Sequence, residues 1–146
     1  MSKPTVAFAA DHAGFELKNL LRDDLKAQCY SVVDLGTLSA DSVDYPDFGR
    51  ALGEAVSRGE AQFGVAICGS GIGISIAANR IPGCRAALCH DHLTARLARQ
   101  HNDANVIALG ARLIGLDTAK DCLKTFLETP FEGGRHARRV AKLGAA

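Results

Sequence analysis

The chain has 146 residues and a formal net charge of +1, from 17 Lys and Arg against 16 Asp and Glu. This is one domain with room for a core, and the charge balance gives neither nucleic acid nor an anionic membrane surface anything to hold. Five per cent aromatics and no Trp also exclude a base-stacking platform.

No apolar run approaches the length of a membrane helix, and Met1-Ser2-Lys3-Pro4 leads straight into a short apolar strand, with no room for a signal peptide. Cysteines stand at 29, 68, 84, 89 and 122, an odd number with no C-x-x-C pair. That is the usage of a reduced, cytoplasmic protein, in which most of these thiols are small buried hydrophobes.

Thr5-Val6-Ala7-Phe8-Ala9 reads as a first strand, and Phe15 to Leu25 as a helix with Leu17, Leu20, Leu21 and Leu25 on one face. Ser31-Val32-Val33-Asp34-Leu35 is a second strand closed by Gly36. A polar loop runs from Thr37 to Asp47, and a helix from about Phe48 to Arg58. The β-branched run Val65-Ala66-Ile67-Cys68 is a buried third strand. Glycines follow it at 69, 71 and 73, and the small-residue stretch to Ala78 is a helix. Cys84 to Cys89 is strand four, His92 to Gln100 a helix capped by Asp91, and Asn105 to Gly110 strand five. A helix from about Leu116 to Leu127 and a short basic helix after Gly133-Gly134 complete the chain.

Strands alternating with helices imply right-handed crossovers and a parallel sheet covered on both faces. The expectation is a doubly wound, Rossmann-like α/β domain over 1–146, with strand order 2-1-3-4-5. Ligands of such sheets sit at the carboxyl ends of the strands where the winding reverses, here strands one and three. Asp11-His12 and Cys68-Gly69-Ser70 leave those two ends.

The glycine spacing is neither the dinucleotide fingerprint nor a Walker A loop. It is a tight strand-to-helix turn whose unpaired N–H groups attract an anion. Cys68 at that helix N-terminus is a base, a nucleophile, a metal ligand or a core cysteine. No Cys/His set has zinc-like spacing, so no metal is expected. His101, in Arg99-Gln100-His101-Asn102-Asp103, is a proton-transfer group or a helix-terminal histidine. Asp11 and His12 either cap the next helix or face the cleft. Arg135, Arg139 and Lys142 share a helical face, and Val140 and Leu143 beside them need a surface to pack on. A guanidinium there, with Arg112 after strand five, fits a phosphate.

Taken together, several segments resemble ribose-5-phosphate isomerase type B, in the wider group that includes galactose-6-phosphate isomerase subunits. They are Asp11-His12-Ala13-Gly14-Phe15, Asp44-Tyr45-Pro46, Ile67 through Asn79, Arg99 through Asn105, and Gly133-Gly134-Arg135-His136 with Arg139. The resemblance implies a metal-independent aldose–ketose isomerase without a cofactor. It also implies a homodimer, or a homotetramer of paired dimers, with active sites shared between subunits. By position, Cys68 resembles the base between C2 and C1, and Ser70 a contact to the sugar oxygens. The backbone from Gly69 through Gly71, Ile72, Gly73 and Ile74 resembles the anion hole for an enediolate. His101 resembles the ring-opening residue with Asp11 beside it, and Asn102 and Tyr45 line the sugar. His12, Arg112, Arg135 and Arg139 resemble the phosphate set, partly from a neighbouring chain. Ser75 replaces the glutamate base of another branch.

Overall fold

The apolar runs bounded by glycine or polar turns form five parallel strands, and the amphipathic stretches between them form helices, in a computed structural model that describes residues 3–144. Met1-Ser2 of the chain's opening lies outside the described residues. In chain order the elements are β1 (Thr5–Ala10), α1 (Phe15–Ala27), β2 (Ser31–Asp34), α2 (Tyr45–Ser57), β3 (Phe63–Cys68), α3 (Ile72–Asn79), β4 (Ala86–Leu88), α4 (His92–Asn102), β5 (Val106–Gly110), α5 (Leu116–Glu128) and α6 (Arg135–Leu143).

The doubly wound parallel class holds, but the sheet order is β2-β1-β3-β5-β4, with the last two strands exchanged relative to expectation. The physical reason is burial. β5 is buried at all five positions and suits the interior of the sheet, whereas the three residues of β4 are half-buried and suit an edge. The chain crosses over β5 on the face of α3 and returns through α4 on the other face. Leu52 and Val56 of α2 and Ile74 and Ala78 of α3 therefore pack on one side. Leu21, Leu25, Ala95, Ala98, Leu123 and Phe126 of α1, α4 and α5 pack on the other. The exchange leaves the reversal between β1 and β3 in place.

α2 begins at Tyr45, three residues before the expected start, because Pro46 in a first turn lacks only an N–H that would be unpaired anyway. The expected cap at Asp91 is present. Its carboxylate accepts from the Thr94 N–H at 2.7 Å, and the Thr94 hydroxyl takes the Asp91 N–H at 3.3 Å. Lys18, fully buried on α1, donates to both oxygens of Asp34 at 2.8 and 2.7 Å, and Arg22 adds a third contact at 2.5 Å. The triad fixes the end of β2 and the start of the 35–44 loop.

The five cysteines are free thiols. Burial pushes the Cys84 thiol up to about 11, Cys89 to about 12 and Cys122 to about 11, which makes all three inert core residues. No helix is long and apolar enough to cross a membrane among the described residues.

Candidate active site

The carboxyl ends of β1, β3 and β5 meet around Cys68. The Asp11 N–H donates to the Ile67 carbonyl at 3.2 Å, and the Ala111 N–H to the Cys68 carbonyl at 2.9 Å. Cys68 is 4% exposed, and the Gly71 N–H donates to its Sγ at 3.1 Å. Gly71 has φ +78°, and a Cβ there would lie 2.8 Å from the carbonyl carbon of Leu109 and 2.7 Å from Leu88 Cδ1. Only glycine combines that left-handed turn with so close an approach to β5. The turn bends the chain back so that its N–H faces the sulfur. The Ile72 N–H donates to Ser70 Oγ at 3.2 Å. The N–H groups of Gly73 and Ile74 open α3 and take no acceptor within the helix. The positive end of α3 thus lies beside a thiol and a hydroxyl, an arrangement suited to charge that appears during a reaction.

Four of the expected side chains line this cluster. Tyr45 lies against Gly73, where a Cβ would come within 2.5 Å of the ring carbon Cζ, so this glycine is the seat for the aromatic ring. His12 accepts the Val43 N–H on Nδ1 at 3.2 Å, so a neutral ring carries its proton on Nε2. The Arg112 N–H donates to the Gly69 carbonyl at 3.0 Å, and its guanidinium lies over Gly69, with Nη1 3.2 Å from where a Cβ would stand. Asp11 is 6% exposed, and its Oδ1 accepts from the Ala13 and Gly14 N–H groups at 3.0 and 3.1 Å. The turn before α1 uses that one carboxylate oxygen.

His101, Asn102, Arg135 and Arg139 stand elsewhere. α4 runs antiparallel to the strands, so its last turn lies at their amino ends. Within one chain His101 and Asp11 stand at opposite ends of the sheet. Four residue steps of β5, at about 3.3 Å each, already separate the two ends by about 13 Å. The last turn of α4 is fixed by buried Arg99, whose Nη1 donates to Asp103 Oδ1 at 2.9 Å and to the Ala104 carbonyl at 2.6 Å. α6 lies at this same end. The Glu132 N–H donates to the Gln100 carbonyl at 3.1 Å, and the His136 ring stacks on the His101 ring with centroids 4.3 Å apart and planes 13° apart. The basic face of Arg135, Arg139 and Lys142 is exposed, and Leu143 is 60% exposed rather than packed away.

Sequence reasoning left Glu132 unmentioned and gave His136 a place in the Gly133–His136 segment but no role. The signal was there in their separation of four, which places both on the approach to α6. Glu132, His101 and His136 bring one potential ligand atom each within 4.8 Å of one another. The stack does not suit a shared ion, because ring lone pairs in nearly parallel planes do not converge on a point about 2.0–2.1 Å from both. A concavity of about 450 Å³, lined by Asn79, Cys84, Arg85, Asn102 and Leu143, also belongs to the amino end. It borders no part of the glycine loop, and the chemistry follows residue types rather than cavity size.

A family profile described as Ribose/Galactose Isomerase matches residues 6–143. Escherichia coli ribose-5-phosphate isomerase B is 44% identical over 140 residues, covering 96% of this chain and 94% of that protein. A D-erythrulose-4-phosphate isomerase of Pectobacterium atrosepticum is 42% identical, with 96% and 93% covered. Clostridium thermocellum ribose-5-phosphate isomerase B superposes with a TM-score of 0.96 at 52% identity, over 97% and 95% of the two chains. The Mycoplasma genitalium ribose-5-phosphate isomerase B, solved with bound ribulose-5-phosphate, gives 0.94 at 39% identity over 97% and 94%. With a match this long and this close, the chain belongs to the ribose/galactose isomerase family.

Proposed function

We propose that the chain interconverts ribose 5-phosphate and ribulose 5-phosphate through an enediolate, in a site completed by a second copy of itself. The observation that carries the chemistry is Cys68, its Sγ held by the Gly71 N–H at the positive end of α3. The argument for a second copy is one of length. Five carbons and a phosphate, at about 1.5 Å per bond, span roughly 8 Å. One sugar therefore does not reach from Cys68 to His101 of the same chain across the length of β5. A homodimer that sets the amino-end cluster of one copy against the carboxyl-end cluster of the other brings all these residues to one substrate.

In that site His101 moves a proton between the anomeric hydroxyl and the ring oxygen, which opens the furanose. The Cys68 thiolate takes the C2 proton. The electron pair moves into the C1–C2 bond and leaves negative charge on O1, which the N–H groups of the 69–74 loop stabilise. The same sulfur returns the proton to C1, and the O2 proton passes to O1, with the Ser70 hydroxyl in contact with these oxygens. His12, Arg112, Arg135 and Arg139 hold the phosphate, and this remote binding energy positions the reacting carbons. No hydride carrier is needed. The five free thiols agree with a reducing, cytoplasmic setting.

A coupled isomerase assay over four-, five- and six-carbon aldose phosphates tests the reading. The highest kcat/KM is expected for ribose 5-phosphate. Preference for erythrose 4-phosphate, the substrate class suggested by the erythrulose relative, reassigns the substrate. No turnover of any of them overturns the proposal.

A further inference from the structure

We infer that His136 and Glu132 are positioning residues for His101: His136 fixes its ring by stacking, and Glu132 balances the charge it gains and loses. The inference rests on the ring-opening reaction proposed above.

The two histidines are not equivalent. The His101 side chain is 38% exposed and the His136 side chain 8%, so His101 is the ring that meets a ligand. A ring-opening residue must both accept and donate a proton. An imidazolium 4.3 Å from a second imidazolium would be repelled, so a usable stack needs one partner that stays neutral. His136 has that property. Burial holds it below the usual histidine value, and the neighbouring His101, Arg135 and Arg139 push the same way against the opposing charge of Glu132.

Glu132 supplies the complement. Its Oε1 lies 3.6 Å from His136 Nε2 and 3.9 Å from His101 Nε2, at the edge of both rings. Its own N–H is tied to the Gln100 carbonyl, one residue from His101. The carboxylate therefore follows the last turn of α4 and stays beside the histidine whose charge changes. Neither Glu132 nor His136 need touch substrate. Their effect is on where the His101 ring points, and a misplacement of about 1 Å in a reacting group costs up to about 10²-fold in rate.

The test uses the full chain, with His136→Ala, His136→Phe and Glu132→Gln. For His136→Ala the kcat on ribose 5-phosphate falls by about 10- to 100-fold with KM within about twofold. His136→Phe keeps a flat ring against His101 and recovers most of that loss. Glu132→Gln lowers kcat in the same sense and by less. Ribulose 5-phosphate has no free hydroxyl with which to close a furanose, so solvent deuterium exchange at its C1 reports proton transfer without ring opening. Relative to wild type, that exchange is spared in all three variants. Equal losses in exchange and in ribose 5-phosphate turnover overturn the inference, as does a Phe variant no better than Ala. A wild-type chain inactive on both sugars instead removes the proposed function itself.

Discussion

Gly71→Ala separates two costs that usually arrive together, with Gly59→Ala as its control. Both glycines have φ +78°, and both variants impose the left-handed conformation on an L residue, at about 1–2 kcal/mol. They differ in surroundings. A Cβ at Gly59 meets nothing within 4 Å, whereas one at Gly71 lies 2.7 Å from Leu88 Cδ1 and 2.8 Å from the Leu109 carbonyl carbon. Leu88 can turn aside, but the backbone of β5 is fixed by its pairing to both β3 and β4. The loop must move instead, adding about 1–3 kcal/mol of overpacking strain. Gly59→Ala is then expected to cost about 1–2 kcal/mol and Gly71→Ala about 2–5, a large share of a typical total stability. Urea unfolding of both, at one protein concentration, gives the comparison. The displaced Gly71 N–H no longer faces Cys68, so activity falls by about 10²–10³-fold in the Gly71 variant alone. Equal destabilisation of the two variants, or full activity with Ala at 71, refutes the view that this turn is set by its approach to β5.

Cys68→Ala lowers turnover by about 10³-fold or more, and substrate still protects the variant in thermal unfolding; turnover near wild type removes Cys68 as the base. Burial works to raise the Asp34 pKa, but hydrogen bonds from Lys18, the Gly36 N–H and Arg22, with the charge of Lys18, outweigh it and hold the carboxyl below its usual value. A depressed folded pKa gives stability that is present above pH about 4 and lost as pH falls through the folded value. Lys18→Met leaves Asp34 with part of its partners and costs about 2–4 kcal/mol at pH 7; the wild-type advantage over it should shrink by pH 3 in urea titrations, and an advantage unchanged with pH contradicts the assignment. Asp91→Ala removes the carboxylate half of the α4 cap, leaving the Thr94 N–H without its acceptor, and costs about 1 kcal/mol by the same measurement, with a change under a few tenths counting against the cap.

Much of this was legible from residue patterns because the signals are local. The glycines at 69, 71 and 73, the β-branched run into Cys68 and the reversal point between β1 and β3 identify one half of the site without any contact information. Asp91 followed by Thr94 announces a cap for the same reason. The order of β4 and β5 is not local. It depends on which strand the core covers on both faces, and the even burial of Val106 to Gly110 is the clue that periodicity alone passes over. The separation of His101 from Asp11 depends on direction. An eleven-residue helix returns the chain to the far end of the sheet, so His101 and Asp11 are distant within a chain. The stack of His136 on His101 depends on the path of the 129–134 segment, which no periodicity describes.

The proposed site joins the Cys68 end of one copy to the His101 end of another, and subunit mixing tests that pairing. Cys68→Ala and His101→Asn are each prepared alone and then coexpressed. Random pairing makes half of the dimers hybrid, and each hybrid has one site with both residues intact. Activity should therefore recover to about one quarter of wild type. Activity that stays at the level of the separate variants, with hybrids verified by mass, would place both residues in the same chain's site and contradict the account.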